Sequence, residues 1–459
     1  MIPGKLRFVL MEDEAQTKEL ILERRDLFFF STTFHEEYEP LCQDYGPVNL
    51  SCIHHFCLEL KEKFNDSRLR QRDLCYYAEA DRLRRTNAAF LLGCFCVLIE
   101  GWTPDDAASK LTEMGGAGLF PAFRDATHFP STFDLTMLDC YRGLLAGMAQ
   151  GWFDVYSFPA AQYEAYSDPS IFDMHMISPQ FLAFRGPNCN DERFPNASVY
   201  RDEFLKLGVT GVMRLNEPDC YDKAVFEDVG IKHYDLYFDD CTMPPVETTK
   251  RFLDIVKEHQ GLLAIHCLAG LGRTGTLICV WFMQNLGWSA REAIAWCRLC
   301  RPGSVIGMQQ HYLELYETQL KNSDGQLVDP SDLPLSDGTR GGNNDGEGPG
   351  DEAARMAQQV AAGMRRRATS RPAVTAAEMR RHVPNAGENM LNRRSSLLDE
   401  DLNGQEDEED AKQEHSEEAD VAAVESSARE GGQQLNPLGV WDDQEWGNEW
   451  ESDNIAMII

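Results

Sequence analysis

The segment 262–275 constrains this chain more than any other, because it joins a strand, a loop and a helix with little freedom between them. Residues 262–267 are apolar until they end in His266-Cys267, which predicts a buried strand. The loop that follows is small, apolar and contains two glycines, and a helical pattern begins at Arg273. A strand that enters a helix through such a turn is typical of layered α/β folds with a mostly parallel sheet.

The loop between Cys267 and Arg273 has the composition of an anion-binding site. Its glycines allow successive backbone N–H groups to point inward, and the following helix adds the positive end of its dipole. Arg273 supplies a planar guanidinium that matches two phosphate oxygens. The same field stabilises a thiolate, so we expect Cys267 to be deprotonated at neutral pH and to act as a nucleophile. The predicted phosphate-binding residues are Leu268, Ala269, Gly270, Leu271, Gly272 and Arg273.

A leaving oxygen needs a proton, and a carboxylic acid on a loop upstream of the nucleophile is the expected donor. Asp239 and Asp240 follow a predicted strand at 233–238 and precede two prolines, which gives a suitable loop. We favour Asp240 as the general acid, with Asp239 as the alternative. The competing interpretation is that these aspartates are ordinary turn or helix-entry residues.

Polar residues beyond the loop can support the breakdown of a phosphoenzyme. Thr274 can donate its hydroxyl to the Cys267 sulfur as the thiolate leaves. Either Gln309, our first choice, or Gln310 can orient the attacking water, because both follow a glycine-containing turn at 301–307. By residue type alone, these glutamines would be ordinary residues of a helix surface.

The order of these elements occurs twice in the chain. A strand, a loop, an Arg-Thr pair, a helix and then a Gly-Trp pair occur at 74–102 and again at 264–288. In the first copy Glu79 falls at the position of Cys267, and its loop, 80–84, has no glycine. We therefore expect two domains of one fold, of which the first has no catalytic power. The alternative is that two short units resemble each other by chance.

Charge and composition exclude several classes of function. A formal net charge of -32 disfavours nucleic acid and anionic membrane as partners and favours basic protein segments. The apolar runs are too short to span a bilayer, so we expect no membrane insertion. We interpret the 14 cysteines as reduced thiols, and Cys297 and Cys300 as packing residues, with redox chemistry as a minority option. We expect no metal and no cofactor, because a thiolate and an arginine replace metal-activated water.

The pattern of Cys, five residues, Arg and then Thr is the protein-tyrosine-phosphatase signature. Together with the Asp240 segment and residues 300–311, it closely resembles the cell-division-cycle-fourteen family of dual-specificity phosphatases. The resemblance extends through the N-terminal half, at 87–91, 123–126 and 181–184, and covers the predicted folded region but not the tail.

This resemblance implies an α/β fold class with two tandem protein-tyrosine-phosphatase-like domains, each a mostly parallel central sheet flanked by helices. We predict a non-catalytic domain at 1–165, a linker at 166–200, a catalytic domain at 201–325 and a disordered acidic tail at 326–459. The tail is rich in Gly, Asp, Glu, Asn, Gln and Ser, which cannot bury enough surface to offset chain entropy. Its basic runs at 365–367 and 393–396 are candidates for a nuclear-import signal and a kinase site, and its closing segment with Trp441, Trp446 and Trp450 is a candidate docking peptide.

The resemblance also implies what the chain acts on. The family removes phosphate from serine, with a preference for a following proline and a basic residue beyond it, and its dual specificity extends to threonine and tyrosine. The implied partners are therefore phosphoproteins that carry sites of proline-directed kinases. We expect a role in the cell cycle or at the cilium or centrosome. We also expect a location in nucleus and cytoplasm, with centrosome, spindle or basal body as finer options.

Within the family's substrate groove, Ala269 and Leu271 would line the proline pocket, and Glu164 and Asp173 would attract the basic residue. At Ser167 and at 198, where the family tends to have acids, this chain has hydroxyls. The groove should therefore be less negative and its demand for a basic residue weaker. For each of the two carboxylates, a solvated surface residue is an equally good interpretation.

Three positions depart from the family pattern. Leu268 replaces the usual lysine after the cysteine, Cys241 replaces a glycine after the acid, and Met308 replaces a proline before the glutamines. None removes a group that the chemistry needs, but a cysteine at 241 makes the mobility of the acid loop less certain.

Three other functions compete with this interpretation. A lipid phosphatase would need lysines in the loop, where this chain has Leu268 and Leu271. An RNA triphosphatase would be poorly served by an acidic chain. The remaining alternative is a catalytically weak scaffold that acts through its tail.

Overall fold

The structure is a computed structural model that describes residues 5–11, 14–32, 37–116, 118–187, 194–322 and 349–370. Its strands are β1 (Leu6–Met11), β2 (Leu27–Phe30), β3 (Asp73–Glu79), β4 (Met174–Ser178), β5 (Phe181–Arg185), β6 (Val209–Arg214), β7 (Lys232–Asp235) and β8 (Leu262–Cys267). Its helices are α1 (Glu14–Glu23), α2 (Leu50–Asn65), α3 (Arg82–Leu98), α4 (Pro104–Gly115), α5 (Met137–Ala149), α6 (Ala160–Ser167), α7 (Ala197–Leu207), α8 (Ala224–Glu227), α9 (Val246–Glu258), α10 (Gly272–Leu286), α11 (Ala290–Cys300), α12 (Met308–Asn322) and α13 (Pro349–Ser370).

The two predicted sheets are present, and both are mostly parallel. The first half contains a three-stranded sheet in the order β1-β3-β2, with both outer strands parallel to β3. The second half contains a five-stranded sheet in the order β4-β5-β8-β6-β7, in which only the β4–β5 pair is antiparallel. This arrangement confirms the predicted fold class of two α/β domains.

The catalytic sheet places its central strand where the sequence predicts the nucleophile. Every residue of β8 is buried, as expected for a parallel strand that is covered on both faces. The strand ends at Cys267, and α10 begins at Gly272, one residue before the predicted start. A capping box opens α11, because Ser289 and Glu292 exchange hydrogen bonds. The loop at 268–271 therefore lies at the carboxyl edge of the sheet, where ligands bind in open α/β folds.

The first half repeats the strand–helix unit but connects the strand to the helix differently. Strand β3 ends at Glu79 and α3 begins at Arg82, so only two residues separate them. The Asp81 carboxylate accepts hydrogen bonds from the backbone N–H groups of Leu83 and Arg84. Glu79, at the position of the nucleophile, forms an ion pair with Arg84 at 2.9 Å. The helix end that would face a phosphate is thus already satisfied by the chain's own carboxylate.

The predicted linker 166–200 needs correction. It contains β4 and β5, and β5 pairs directly with the central strand β8. The catalytic sheet therefore begins at Met174, and the helix α6 precedes it. The two short strands were missed because β4 is only five residues long and has no clear alternation of apolar and polar residues.

The two halves share one core. Helix α5 of the first half packs on α11 of the second, and small residues allow the approach. A Cβ on Gly143 would lie 2.8 Å from the Cβ of Ala295, and one on Gly147 would overlap the ring of Trp296. Trp296 also donates from Nε1 to the carbonyl oxygen of Ile177 at 2.9 Å. A single cluster of buried apolar side chains accordingly extends from Phe8 to Tyr316.

The predicted disordered tail is wrong over residues 349–370. These residues form α13, and its side chains at 356, 360 and 364 are buried against the rest of the chain. The spacing of four residues places all three on one face of the helix, a pattern that the polar composition around it concealed. The basic run 365–367 belongs to this helix. The remaining tail predictions, including the segment 393–396 and Trp441, Trp446 and Trp450, lie outside the described residues.

The described part of the chain contains no disulfide, no helix able to cross a membrane and no cluster of potential metal ligands. None of the 13 cysteines of that part forms a disulfide. Cys297, whose Sγ lies 3.5 Å from that of Cys279, belongs to the main core together with Cys300. None of the described helices combines the length and apolar character that crossing a bilayer requires. The described residues also contain no group of three or more His, Cys, Asp or Glu that could hold a metal ion.

Candidate active site

The carbonyl groups of the 267–273 loop are turned outward and held there. Arg301 donates from Nη2 to the carbonyl oxygen of Ala269 and from Nε to that of Gly270, both at 2.8 Å. The backbone N–H of Gly186 donates to the carbonyl oxygen of Leu268 at 3.2 Å. Because a peptide's C=O and N–H groups point in opposite directions, carbonyls held on the outside leave the N–H groups facing the centre of the loop. This is the arrangement that an anion nest requires, and the binding of phosphate by the loop stays a prediction.

Gly270 is required by the geometry of this loop. Its φ is +66°, in the left-handed region that residues with a Cβ avoid. A Cβ at this position would also overlap the carbonyl oxygen of Phe184 in the neighbouring strand β5. By contrast, a Cβ on Gly272 would lie 2.8 Å from Oε1 of the Gln309 side chain.

Arg273 is buried at the start of α10 and is held by the backbone. Its Nη1 donates to the carbonyl oxygens of Phe238, at 2.8 Å, and of Leu215, at 3.2 Å. Burial alone would lower the pKa of Arg273, but the nearby Cys267 and Asp240 outweigh burial and raise it. The guanidinium is therefore charged and fixed in direction, as phosphate recognition requires. Cys267 itself is only 1% exposed.

The two candidate acids lie in different surroundings. Asp240 turns inward, where its Oδ1 lies 3.1 Å from Nε of Arg273 and accepts from the backbone N–H of Cys241. Asp239 is exposed and accepts a hydrogen bond from the Tyr237 hydroxyl at 2.7 Å. Only Asp240 thus faces the guanidinium of the loop, which agrees with our preference for it as general acid. Cys241 has a φ of +56°, which explains why a glycine would suit that position better.

The two glutamines have distinct contacts. Gln309 lies between the phosphate loop and the acid loop, because its Nε2 donates to the carbonyl oxygen of Thr242 and its Oε1 accepts from the N–H of Ile306. Gln310 instead accepts from Nη2 of the buried Arg298 at 2.6 Å. Gln309 therefore links the two loops, and its contact with an attacking water stays a prediction, while Gln310 is bonded to a buried arginine.

Thr274 is fully buried directly after Arg273, and its hydroxyl oxygen has no hydrogen-bond partner among the residues that the structure describes. A buried hydroxyl without a partner is costly, so such a group is expected to serve a ligand or a reaction intermediate. The predicted donation to the Cys267 sulfur would satisfy it.

A chain of neutral hydrogen bonds fixes the backbone of the nucleophile. Burial lowers the pKa of His266 to about 3 and that of His233 to about 4, so both imidazoles are neutral near pH 7. His266 then donates from Nδ1 to the carbonyl oxygen of Cys267 and accepts at Nε2 from the Tyr221 hydroxyl at 2.7 Å. His233 lies 2.9 Å from the same hydroxyl and can donate to it. The motif identifies His266 but neither of its partners, Tyr221 and His233, because those contacts depend on how distant segments fold together.

The predicted groove carboxylates have partners within the protein. Asp173 forms an ion pair with Arg301 at 2.8 Å, and its side chain is only 13% exposed. Glu164 accepts from the Ser51 hydroxyl and lies 3.1 Å from Nε2 of His55, with its side chain 55% exposed. Their contact with a substrate stays a prediction. Asp173 is better placed to steady the arginine that holds the loop than to attract a basic residue from solution.

Arg301 is the functional residue that sequence reasoning overlooked. In the sequence it stands out only as part of the 300–311 resemblance. In the structure it caps the end of α11 before Pro302-Gly303 and is only 1% exposed, which is unusual for an arginine. Besides its two loop contacts, it donates to the carbonyl oxygen of Asp173 and contacts Nδ1 of His175 at 2.8 Å. The signal available in the sequence was its position at the end of a predicted helix. Sequence alone does not show which carbonyl groups a distant arginine will reach.

Comparisons with known proteins agree with this geometry. A family model described as the N-terminal half of dual specificity protein phosphatases matches residues 1–147, and one described as the dual specificity phosphatase catalytic domain matches residues 200–320. The second match contains the whole 267–273 loop, Asp240 and Gln309, and the first contains the domain without a nucleophile.

Curated relatives share this two-part organisation. The chain is 38% identical over 323 residues to the dual specificity protein phosphatase CDC14A of Mus musculus, which covers 66% of the chain and 53% of that relative. It is 35% identical over 325 residues to CDC14C of Homo sapiens, which covers 70% of the chain and 71% of that relative. It is 33% identical to the tyrosine-protein phosphatase CDC14 homolog of Schizosaccharomyces pombe over 308 residues, which covers 64% of the chain and 57% of that relative.

The chain spans about half the length of the mouse relative and nearly three quarters of human CDC14C. With two family models in tandem and this degree of identity, the chain belongs to the CDC14 family of dual-specificity protein phosphatases.

Proposed function

We propose that this chain is a cysteine-dependent protein phosphatase that hydrolyses phosphoserine, phosphothreonine and phosphotyrosine through a cysteinyl-phosphate intermediate. One observation carries the proposal: the carbonyls of the loop are held outward, which leaves its N–H groups to bind an oxyanion, and Arg273 interacts electrostatically with Cys267. Such preorganised donors stabilise both a thiolate and the equatorial oxygens of a phosphoryl group in transfer.

The first step forms a bond between the Cys267 sulfur and phosphorus and breaks the bond to the serine or tyrosine oxygen. Asp240 gives that oxygen its proton as it leaves. In the second step a water held by Gln309 attacks phosphorus and returns its proton to Asp240, while Thr274 donates a hydrogen bond to the departing sulfur. The cycle ends with inorganic phosphate and the starting enzyme.

The proposed preference is for phosphoserine followed by proline, at sites of proline-directed kinases. Ala269 and Leu271 support it, because both are apolar residues of the loop next to the predicted phosphate site. The demand for a downstream basic residue should be weak, because Asp173 is already paired with Arg301 and position 167 is a serine. We further propose a role in cell division, or at the centrosome or cilium, in nucleus and cytoplasm, on the strength of the family alone.

Turnover of para-nitrophenyl phosphate by the full chain tests the reaction. We expect activity that is unchanged by a chelator and abolished in Cys267→Ser, which keeps the size of the side chain but lacks a thiolate. Absence of turnover, or equal turnover by the Ser variant, would favour the scaffold alternative.

A pair of phosphopeptides that differ only in proline or alanine after phosphoserine tests the preference. We expect a higher kcat/KM for the proline peptide, and Leu271→Ala should reduce the difference between them. Equal rates for the two peptides would reject the proline preference while leaving the phosphatase reaction intact.

A further inference from the structure

Helix α13 lies on the apolar residues next to the phosphate loop. Its Met356, Val360 and Met364 are 4 to 6% exposed. These three side chains belong to one buried cluster with residues of both domains, which we call the groove cluster: Leu41, Ala126, Cys241, Ala269, Leu271 and Ile306. The helix thus covers the boundary between the domains on the side of the active site.

Polar contacts fix the direction of the helix across this cluster. The side chain of Gln359 accepts from the backbone N–H of His128 at 3.3 Å. Arg366 donates from Nη2 to the carbonyl oxygen of Leu41 at 3.0 Å. Gly363 lies so close to the backbone of Leu41 that a Cβ would overlap it. These contacts can form only when the helix lies in one position along the cluster. Nonspecific packing of apolar side chains would not select such a position.

The groove cluster contains groups that the proposed reaction uses. Ala269 and Leu271 belong to the phosphate loop, and Cys241 follows the general acid Asp240. At one end of the helix, Met364 and Leu271 line the same cavity together with Asp173 and Arg301. At the other end, Met356 contacts Gly307, just before the helix that carries Gln309. A proline that follows the phosphoserine would need this same space, because Ala269 and Leu271 are the residues proposed to hold it.

We propose that α13 is an internal ligand of the substrate groove, which competes with phosphoprotein substrates and must leave before they bind. This inference rests on the proposed phosphatase function and adds a regulatory element to it. Because the helix belongs to the same chain, its effective concentration at the groove is on the order of millimolar even when its intrinsic affinity is low. A partner that binds the apolar face of α13 would therefore activate the enzyme, because it would remove the helix from the groove.

A pair of matched double variants of the full chain tests this inference. V360E/M364E places two carboxylates on the buried face, where they cannot be accommodated without losing the docked state. Q358E/A362E places two carboxylates at the same spacing on the exposed face, and serves as the control. If the helix is docked about nine-tenths of the time, the apparent KM for substrate is raised about tenfold.

We expect V360E/M364E to lower the KM for a phosphoserine–proline peptide about tenfold relative to Q358E/A362E, with kcat unchanged in both. Equal KM values in two active variants would overturn the inference. A lower kcat/KM in V360E/M364E would also overturn it, because the helix would then assist catalysis. Turnover that is absent from every variant, or retained in Cys267→Ser, would instead reject the underlying phosphatase function.

A binding measurement keeps the inference testable without turnover. A fluorescent synthetic peptide of residues 349–370 is titrated with full-length V360E/M364E, whose own helix no longer covers the groove. We expect saturable binding, an apparent Kd about tenfold higher with full-length Q358E/A362E, and loss of binding when the peptide itself carries the two glutamates. Absence of binding by the unaltered peptide, or equal binding by both peptides, would show that α13 is not a ligand of the groove.

Discussion

Single residues of the loop differ sharply in how much change they tolerate. Gly270 has both a left-handed backbone and no room for a Cβ against Phe184, whereas Gly272 faces only the end of the Gln309 side chain. The first conflict involves rigid backbone of a neighbouring strand, and the second involves a side chain that can move. The two glycines are therefore unequal, although the motif presents them as a pair.

We expect Gly270→Ala to lower kcat about a hundredfold, because a shift of the loop of about 1 Å misplaces the N–H groups that bind phosphate. Gly272→Ala should cost less, roughly tenfold or below, because Gln309 can adjust its side chain. Steady-state kinetics of both variants on para-nitrophenyl phosphate make the comparison. Equal losses would indicate that the overlap with Phe184 is not decisive.

The acid is expected to be Asp240. Asp240→Asn should reduce kcat on a phosphoserine peptide by roughly 10²- to 10⁴-fold, because a serine alkoxide cannot leave without a proton. Asp239→Asn, on the same loop but turned to solvent, should stay within about threefold of the unaltered chain. If Asp239→Asn shows the larger loss, the assignment is reversed.

At this scale the sequence identifies the residues that are close along the chain. Cys267, Arg273 and Thr274 could be predicted because one strand, one loop and one helix contain them all. Arg301 and Tyr221 could not, since their contacts with the loop depend on how distant segments fold onto it. The choice between Gln309 and Gln310 required the structure for the same reason.

At the scale of elements, β8 is held in place by neutral polar groups as well as by apolar packing. His266, near the end of β8, accepts a hydrogen bond from the Tyr221 hydroxyl, and His233 on β7 contacts the same hydroxyl. Both histidines have a pKa well below the ordinary 6.5, because burial disfavours their charged forms. The stability of the catalytic sheet should therefore depend on pH.

The direction of that dependence follows from the lowered pKa values. The unfolded chain takes up these protons near pH 6.5, but the folded chain only near pH 3 to 4, so the stabilisation is complete above pH 6.5 and is lost as pH falls through this range. We expect His266 alone to account for about 1 kcal/mol of unfolding free energy per pH unit between pH 6 and 4.

Urea unfolding at several pH values measures this effect. His266→Gln keeps a donor and an acceptor but cannot titrate, so its unfolding free energy should change less steeply with pH than that of the unaltered chain. Parallel slopes would contradict the assigned role of His266.

Elements were predicted well where they carry strong periodic signals. The strand β8 and the start of helix α10 agree with the sequence to within one residue. The short strands β4 and β5 were placed in a linker, since their role depends on pairing with β8 rather than on local pattern. Helix α13 was assigned to the tail because three buried side chains within 22 residues do not stand out from the polar composition around them.

The whole molecule is held together across its two domains by the contact between α5 and α11. Gly147 brings the α5 backbone against the ring of Trp296, which in turn bonds to β4 of the catalytic sheet. Close packing of this kind leaves no space for added methyl groups. The domain that lacks a nucleophile is thus part of the structural support of the one that has it.

We expect Gly147→Val to destabilise the chain by about 1–3 kcal/mol, because the larger side chain forces the two helices apart. Ala149→Val on the same helix, at an exposed position, provides a comparison and should cost less. Urea unfolding of both variants measures the difference. Equal stability of the two would mean that the interface can adapt and that the domains are less tightly coupled than their packing indicates.

The Asp81 carboxylate at the start of α3 has a consequence for how this molecule could change. In the first half, a carboxylate of the chain itself takes the place of a bound anion, and Glu79 stands where the other half has a sulfur. Only two residues connect the strand to the helix there, whereas the other half has four. Exchange of one or two side chains cannot convert that half into a second enzyme. Acquiring activity there would demand added backbone as well as new chemistry, so its inactivity is far harder to reverse than to acquire.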